Sequence, residues 1–156
     1  MKTSAATALL MVLFAAGAWA SDDPFAGKWV LDVQQSEYPA GSCPTEMVIE
    51  IETAGHGVRY KSDATYANGR TVHSEYTAEY DGNPAIVRGT RGMMLPVSLK
   101  RVDANTVIAT YTRGLQVVAR SRRVLSEDKR RMTITTVSKD LSSNSVITVG
   151  VYERRQ

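Results

Sequence analysis

Apolar and polar residues exchange places at every second position along most of this chain, in short runs separated by Gly, Asn, Asp, Ser and Pro. A period of two puts successive side chains on opposite faces of an extended backbone, so each run reads as a β-strand with one buried face. Trp29, Leu31 and Val33 follow this pattern, as do Met47, Ile49 and Ile51, and Val58, Tyr60, Ser62 and Ala64. Val72, Ser74, Tyr76, Ala78 and Tyr80 alternate with His73, Glu75, Thr77 and Glu79. Ile86 and Val87 suggest a short strand. The second half repeats the rhythm at Leu95, Val97 and Leu99, at Val107, Ala109 and Tyr111, and at Val117, Ala119, Ser121 and Arg123. Met132, Ile134, Thr136 and Ser138, then Val146, Thr148, Gly150 and Tyr152, complete it. Turn signals separate the runs at Gly55-His56-Gly57, Asn68-Gly69, Asp81-Gly82-Asn83-Pro84, Asp103-Ala104-Asn105, Arg113-Gly114, Glu127-Asp128-Lys129 and Ser142-Ser143-Asn144.

These runs predict roughly ten strands at the turn spacing of a sandwich or barrel. No segment after residue 20 keeps an apolar period of 3.6 residues. A sandwich with Greek-key topology needs long crossovers, and only Gln34–Pro44 is long enough to be one. A meander of this many strands leaves two unpaired edges unless it closes. The expectation is therefore an all-β, closed antiparallel up-and-down barrel of about 8–10 strands with no C-terminal helix. The length of 156 residues fits one such domain.

Residues 1–20, MKTSAATALLMVLFAAGAWA, read as a cleavable export signal. Lys2 supplies the positive start, Ala8–Gly17 the apolar stretch, and Ala18-Trp19-Ala20 the small-x-small cleavage site. The apolar stretch is short for a membrane span, so no stable membrane insertion is expected. The domain then covers residues 21–156, and the expected location is periplasmic or secreted. Cys43 is the sole cysteine, so one chain cannot form a disulfide and stability must come from packing. The net charge of +3 falls to about +2 without Lys2, and most basic residues are scattered. That balance argues against nucleic acid as a partner.

The inward-facing set mixes large and small side chains. Tyr60, Tyr76, Tyr80, Tyr111 and Tyr152 stand among Ser62, Ala64, Ser74, Ala78, Ala119, Ser121, Thr136, Thr148 and Gly150. Small residues leave volume unfilled and hydroxyls give it polar handles, which is how small-molecule pockets are built. The alternative is that the tyrosines fill the centre and bond one another. Arg101 and Arg123 share the inward parity. A buried guanidinium needs a partner: a carboxylate, tyrosine hydroxyls or an anionic ligand group. Either arginine could instead reach water at a strand end. The candidate ligand-binding residues are Tyr60, Tyr76, Tyr111, Arg101, Arg123 and Tyr152.

Gly27-Lys28-Trp29, followed by Ser36 and Tyr38, resembles the opening of lipocalin-like proteins, whose first strand carries Gly-x-Trp. Further pieces resemble a family of bacterial exported lipocalin-like proteins of the calycin type. They are Glu75–Gly82, Leu99–Thr106, Arg122-Arg123-Val124 and Val151-Tyr152-Glu153. The resemblance implies barrel architecture, with Trp29 closing one end and Gly27 allowing close passage of the chain. It also implies an arginine packed over that Trp, with Arg154 the first counterpart and Arg123 the second. The disulfides and C-terminal helix of true lipocalins are missing from the pattern, and Gln34–Pro44 is too short for a two-helix lid.

Three function classes follow. The first is an exported binding or carrier protein holding a small apolar or amphipathic ligand in the barrel. The second is an exported protein-binding module, like a protease or lysozyme inhibitor, acting through barrel-end loops such as Arg88–Met94 with Met93 and Met94. The third, an enzyme, has only His56, His73, Glu75, Glu79 and Cys43 as candidates. They form no Ser-His-Asp order, zinc spacing or glycine-rich phosphate loop, so no cofactor or metal is expected.

Overall fold

A computed structural model describes residues 23–90, 92–140 and 142–155. The export signal assigned to residues 1–20 lies outside them. Twelve strands follow one another among the described residues: β1 (Gly27–Glu37), β2 (Glu46–Ala54), β3 (Gly57–Thr65), β4 (Thr71–Glu79), β5 (Asp81–Ala85), β6 (Arg88–Gly89), β7 (Gly92–Met93), β8 (Val97–Asp103), β9 (Thr106–Arg113), β10 (Gln116–Leu125), β11 (Arg131–Lys139) and β12 (Ser145–Arg155). No helix occurs among the described residues, so none is long and apolar enough to cross a membrane.

All twelve belong to one sheet in the order β5-β8-β9-β10-β11-β12-β1-β2-β3-β4-β6-β7. Every pairing is antiparallel, and chain neighbours are mostly sheet neighbours because the connections are short. The first and last long strands join the two halves, with Trp29 opposite Arg154 and Leu31 opposite Tyr152. Turn aspartates fix several corners: Asp81, Asp103, Asp128 and Asp140 each accept a backbone N–H two residues ahead. Hydrogen bonds hold all four carboxyls below their ordinary pKa, the largest effect coming from the Asn83 N–H at Asp81, the Asn105 N–H at Asp103, the Ser126 hydroxyl at Asp128 and the Asn144 N–H at Asp140.

The sheet curls into a half-barrel rather than a fully laddered cylinder. β4 passes into β5 with no ladder between them, and β5 pairs only with β8. The stretch expected to be a turn, Asp81–Pro84, is instead most of β5. It makes a poor bridge for physical reasons. Gly82 sits at φ +83°, Pro84 has no N–H to donate, and the register to β8 slips between Asp81 and Pro84. Ile86 and Val87, expected to form a strand, follow β5 as irregular backbone; Val87 is buried and Ile86 exposed.

The other difference lies in β1, which runs to Glu37, four residues into the expected Gln34–Pro44 loop. Asp32 makes this continuation possible. Its carboxylate accepts Gln34 and Gln35 N–H groups, and its carbonyl accepts the Ser36 hydroxyl, while the pairing with β12 shifts register. Trp29, Phe25, Ile49, Leu99 and Met132 are the largest fully buried side chains. Each contributes about 1.5–3 kcal/mol by leaving water.

Candidate ligand-binding site

Alternation places the inward residues of β3, β4, β10, β11 and β12 around a cavity of about 370 Å³. Its floor is aromatic and charged. Tyr60 and Tyr76 lie opposite each other across β3 and β4, with rings stacked at 4.8 Å and inclined by 12°. Arg123 of β10 reaches across the lumen, its guanidinium 4.7 Å from the Tyr60 ring centre. Its Nη2 donates to the Tyr76 hydroxyl at 2.7 Å. Arg123 is only 3% exposed, and its Nε has no hydrogen-bond partner.

No carboxylate lines this space, and Arg123 is its one ionised lining residue among those described. Burial pushes the Tyr60 pKa up to about 12, against the pull of Arg123. The same cause raises Tyr76 further and holds Tyr152 well above the ordinary phenol value. All three are therefore neutral near pH 7. Burial works against the Arg123 cation and the tyrosine oxygens around it work for it, with a net upward direction. A guanidinium stays protonated in either case.

Above the floor stand five hydroxyls: Ser62 and Ser74 on one wall, Ser121, Thr136 and Thr148 on the other. Ser62 bonds Ser74 at 2.7 Å, and Ser121 bonds Thr136 at 2.7 Å. The rim is formed by Tyr38, Pro44, Tyr66, Met94 and Leu95. Met94 thus belongs to the mouth, while the Met93 side chain lies outside what is described. Tyr111 and Tyr152 line the cavity, and Tyr152 donates to the Met47 sulfur at 3.3 Å.

Arg101, expected beside the ligand, does not line this cavity. It pairs with Asp23, a carboxylate side chain only 7% exposed, and packs 4.1 Å from the Tyr80 ring centre. Asp23 precedes the first strand, so strand parity gave no sign of this partner. Trp29 and Arg154 pack at this same end, against Pro24–Ala26. The Arg154 guanidinium lies 4.2 Å from the Trp29 ring centre, and the Trp29 indole N–H donates to the Phe25 carbonyl at 2.9 Å. Arg154 also donates to the carbonyls of Lys129, Pro24 and Ala26. A Cβ on Gly27 would come 2.8 Å from its Nη1, which explains the glycine.

The remaining candidates stay outside. His73 meets Asp63 at 2.8 Å on the exposed face, and Glu75 lies 4.0 Å from Arg59. His56 occupies an exposed two-residue turn, and Cys43 is free and partly buried. No cluster of metal-ligating side chains occurs among the described residues. Three larger hollows are open depressions: about 660 Å³ along β4 and β5, about 720 Å³ along β10 and β11, and about 660 Å³ at the β10–β11 turn. Sequence reasoning missed Tyr38, Tyr66 and Met47 as cavity residues. Tyr38 and Tyr66 sit in loops, where alternation carries no information.

Fold and cavity together define an all-β, calycin-like half-barrel with a small hydroxyl-rich interior. Among solved structures it is similar to a zebrafish ileal bile acid-binding protein complexed with cholic acid, at a TM-score of 0.56 and 14% identity. The match covers 85% of this chain and 99% of the zebrafish chain. At that identity the likeness concerns the fold. No protein-family model matches the chain, and no curated protein matches it by sequence.

Proposed function

We propose that this chain is an exported carrier that holds a small amphipathic ligand in the half-barrel, with an anionic group of the ligand set against Arg123. The reading rests on one observation: a guanidinium buried among neutral groups and held by a single hydrogen bond, to Tyr76, that lines a cavity of about 370 Å³. A desolvated cation without a counter-charge destabilises a fold unless something else uses it. A carboxylate matches its planar fork and would supply both charge and acceptors. The solved neighbour's bile-acid complex supports small-ligand binding within this kind of sheet. The cavity volume is at the low end for ligand sites, which favours a compact ligand.

Titration calorimetry with a panel of small carboxylic acids tests this, comparing the mature chain with Arg123→Met. Loss of a charge-assisted hydrogen bond should weaken binding about 10–150-fold. Equal affinity in the variant would end the proposal. Native mass spectrometry of protein from its own host should also show a retained anionic molecule. Export is tested separately: the mature protein should be extracytoplasmic with Ser21 first, and a cytoplasmic chain retaining Met1 would refute it.

Loop-borne protein recognition has one observation in its favour, the fully exposed Leu115 at the β9–β10 turn. Capture of a specific protein partner that is lost in Leu115→Ser, with no small molecule retained, would favour that reading.

A further inference from the structure

The strand register stacks the lumen in layers. On one wall, Tyr60 and Tyr76 are followed toward the mouth by Ser62 and Ser74. On the other, Arg123, Ile134 and Gly150 are followed by Ser121, Thr136 and Thr148. Floor and hydroxyl layer are therefore one pleat repeat apart on both walls, about 6.5 Å along the strands. The next layer, Ala64 with Val72 and Ala119 with Ser138, offers small side chains.

The hydroxyl layer has protons to spare. Each hydroxyl carries one donor and two acceptor sites. A mutually bonded pair uses one proton and leaves one, and linking the Ser62–Ser74 pair to the adjacent Tyr60 hydroxyl only moves the spare proton along the chain. The Ser121–Thr136 pair leaves another. Ser62 and Ser121 are nine-tenths or more buried, so these donors are largely shielded from bulk water. A purely hydrocarbon ligand would cover them without replacing their partners, which is the expensive way to bury a hydroxyl.

We infer that the ligand is an oxygenated compact acid: a carboxylate at one end and a hydroxyl or carbonyl oxygen farther along, toward the mouth, rather than an unsubstituted chain. A para-substituted ring acid sets its two polar ends apart in this way. The carboxylate enters first and meets Arg123 and Tyr76. The second oxygen accepts from the serine–threonine belt, and the remaining apolar part faces Tyr38, Pro44, Tyr66 and Leu95. This rests on the carrier reading above and narrows its ligand class.

The test compares 4-hydroxyphenylacetate with 4-methylphenylacetate, which has nearly the same shape and no second oxygen, and with decanoate. Calorimetry on the mature chain should show the hydroxyl compound binding about 5–10-fold tighter than the methyl compound, and tighter than decanoate. In an apolar lumen the order reverses, so wild-type protein alone decides the sign. In Ser62→Ala/Ser74→Ala and in Ser121→Ala/Thr136→Val the ratio should fall toward one. If both ring acids lose affinity in Arg123→Met but the methyl compound or decanoate binds best to wild type, the oxygenated-ligand inference is overturned and the carrier reading stands. If no acid binds, or binding ignores Arg123→Met, both are overturned.

Discussion

Arg123 should be a residue whose removal leaves the fold as stable as before or more so, while removing its tyrosine partner weakens it. Tyr76→Phe keeps the stacked ring and deletes the hydroxyl that accepts from Arg123 Nη2 at 2.7 Å. The guanidinium, 3% exposed and already lacking a partner at Nε, then has neither bond. Losing a hydrogen bond to a buried charge costs about 1.5–3 kcal/mol. For a domain of this size that lowers Tm by roughly 5–12 °C. Arg123→Met removes the charge and keeps most of the volume, an exchange that ranges from neutral to about 4 kcal/mol stabilising. In the Arg123→Met background, Tyr76→Phe should cost no more than about 0.5 kcal/mol, because the phenol no longer has a cation to serve. Urea unfolding followed through Trp29 measures all three; once residues 1–20 are removed, Trp29 is the only tryptophan. The midpoints should move at constant slope. An Arg123→Met protein less stable than Tyr76→Phe, or a double mutant equal to the sum of the singles, would show that the cation supports the fold and is not held in reserve for a ligand.

Gly27→Ala should lower stability by about 2–3 kcal/mol in urea unfolding, since φ is +138° and the new Cβ meets Arg154 Nη1. Arg154→Ala should cost about as much and shift Trp29 emission to the red, because the ring loses its cover and three carbonyls lose a donor. Asp23→Ala and Arg101→Met should each lower stability in the same unfolding assay, as the first leaves a partly buried cation unpaired and the second a carboxylate only 7% exposed, and the double variant should recover part of the loss. The buried tyrosines set an alkaline limit. Their folded pKa values lie above the unfolded value of 10, so the stabilising contribution is fully present below pH 10 and is lost as pH rises toward about 12 for Tyr60. The loss is about 1.4 kcal/mol per pH unit for each such tyrosine. Absorbance at the tyrosinate band should therefore rise together with unfolding in that range, and early titration of these groups in a folded chain would contradict their burial.

The period-two pattern, the turn clusters and the lack of helical stretches made the antiparallel meander legible without coordinates. So was the inward set: Tyr60, Tyr76, Tyr111, Arg123 and Tyr152 all line the cavity, because strand geometry sends every second side chain to one face whatever the neighbours are. Four things had to wait for the tertiary structure. The sheet's failure to ladder at β5 depends on how Pro84 and Gly82 meet β8, a long-range pairing. Arg101 and Arg123 share one parity, yet only Arg101 has a carboxylate in reach, since Asp23 comes from an irregular segment whose position no periodicity fixes. Tyr38 and Tyr66 reach the cavity from loops. Finally, the floor-and-belt layering exists only once register aligns β3 with β4 and β10 with β11 and β12. Local alternation determines which face a residue takes. Which residues share a layer, and which charge finds a partner, is set by contacts between segments far apart in the chain.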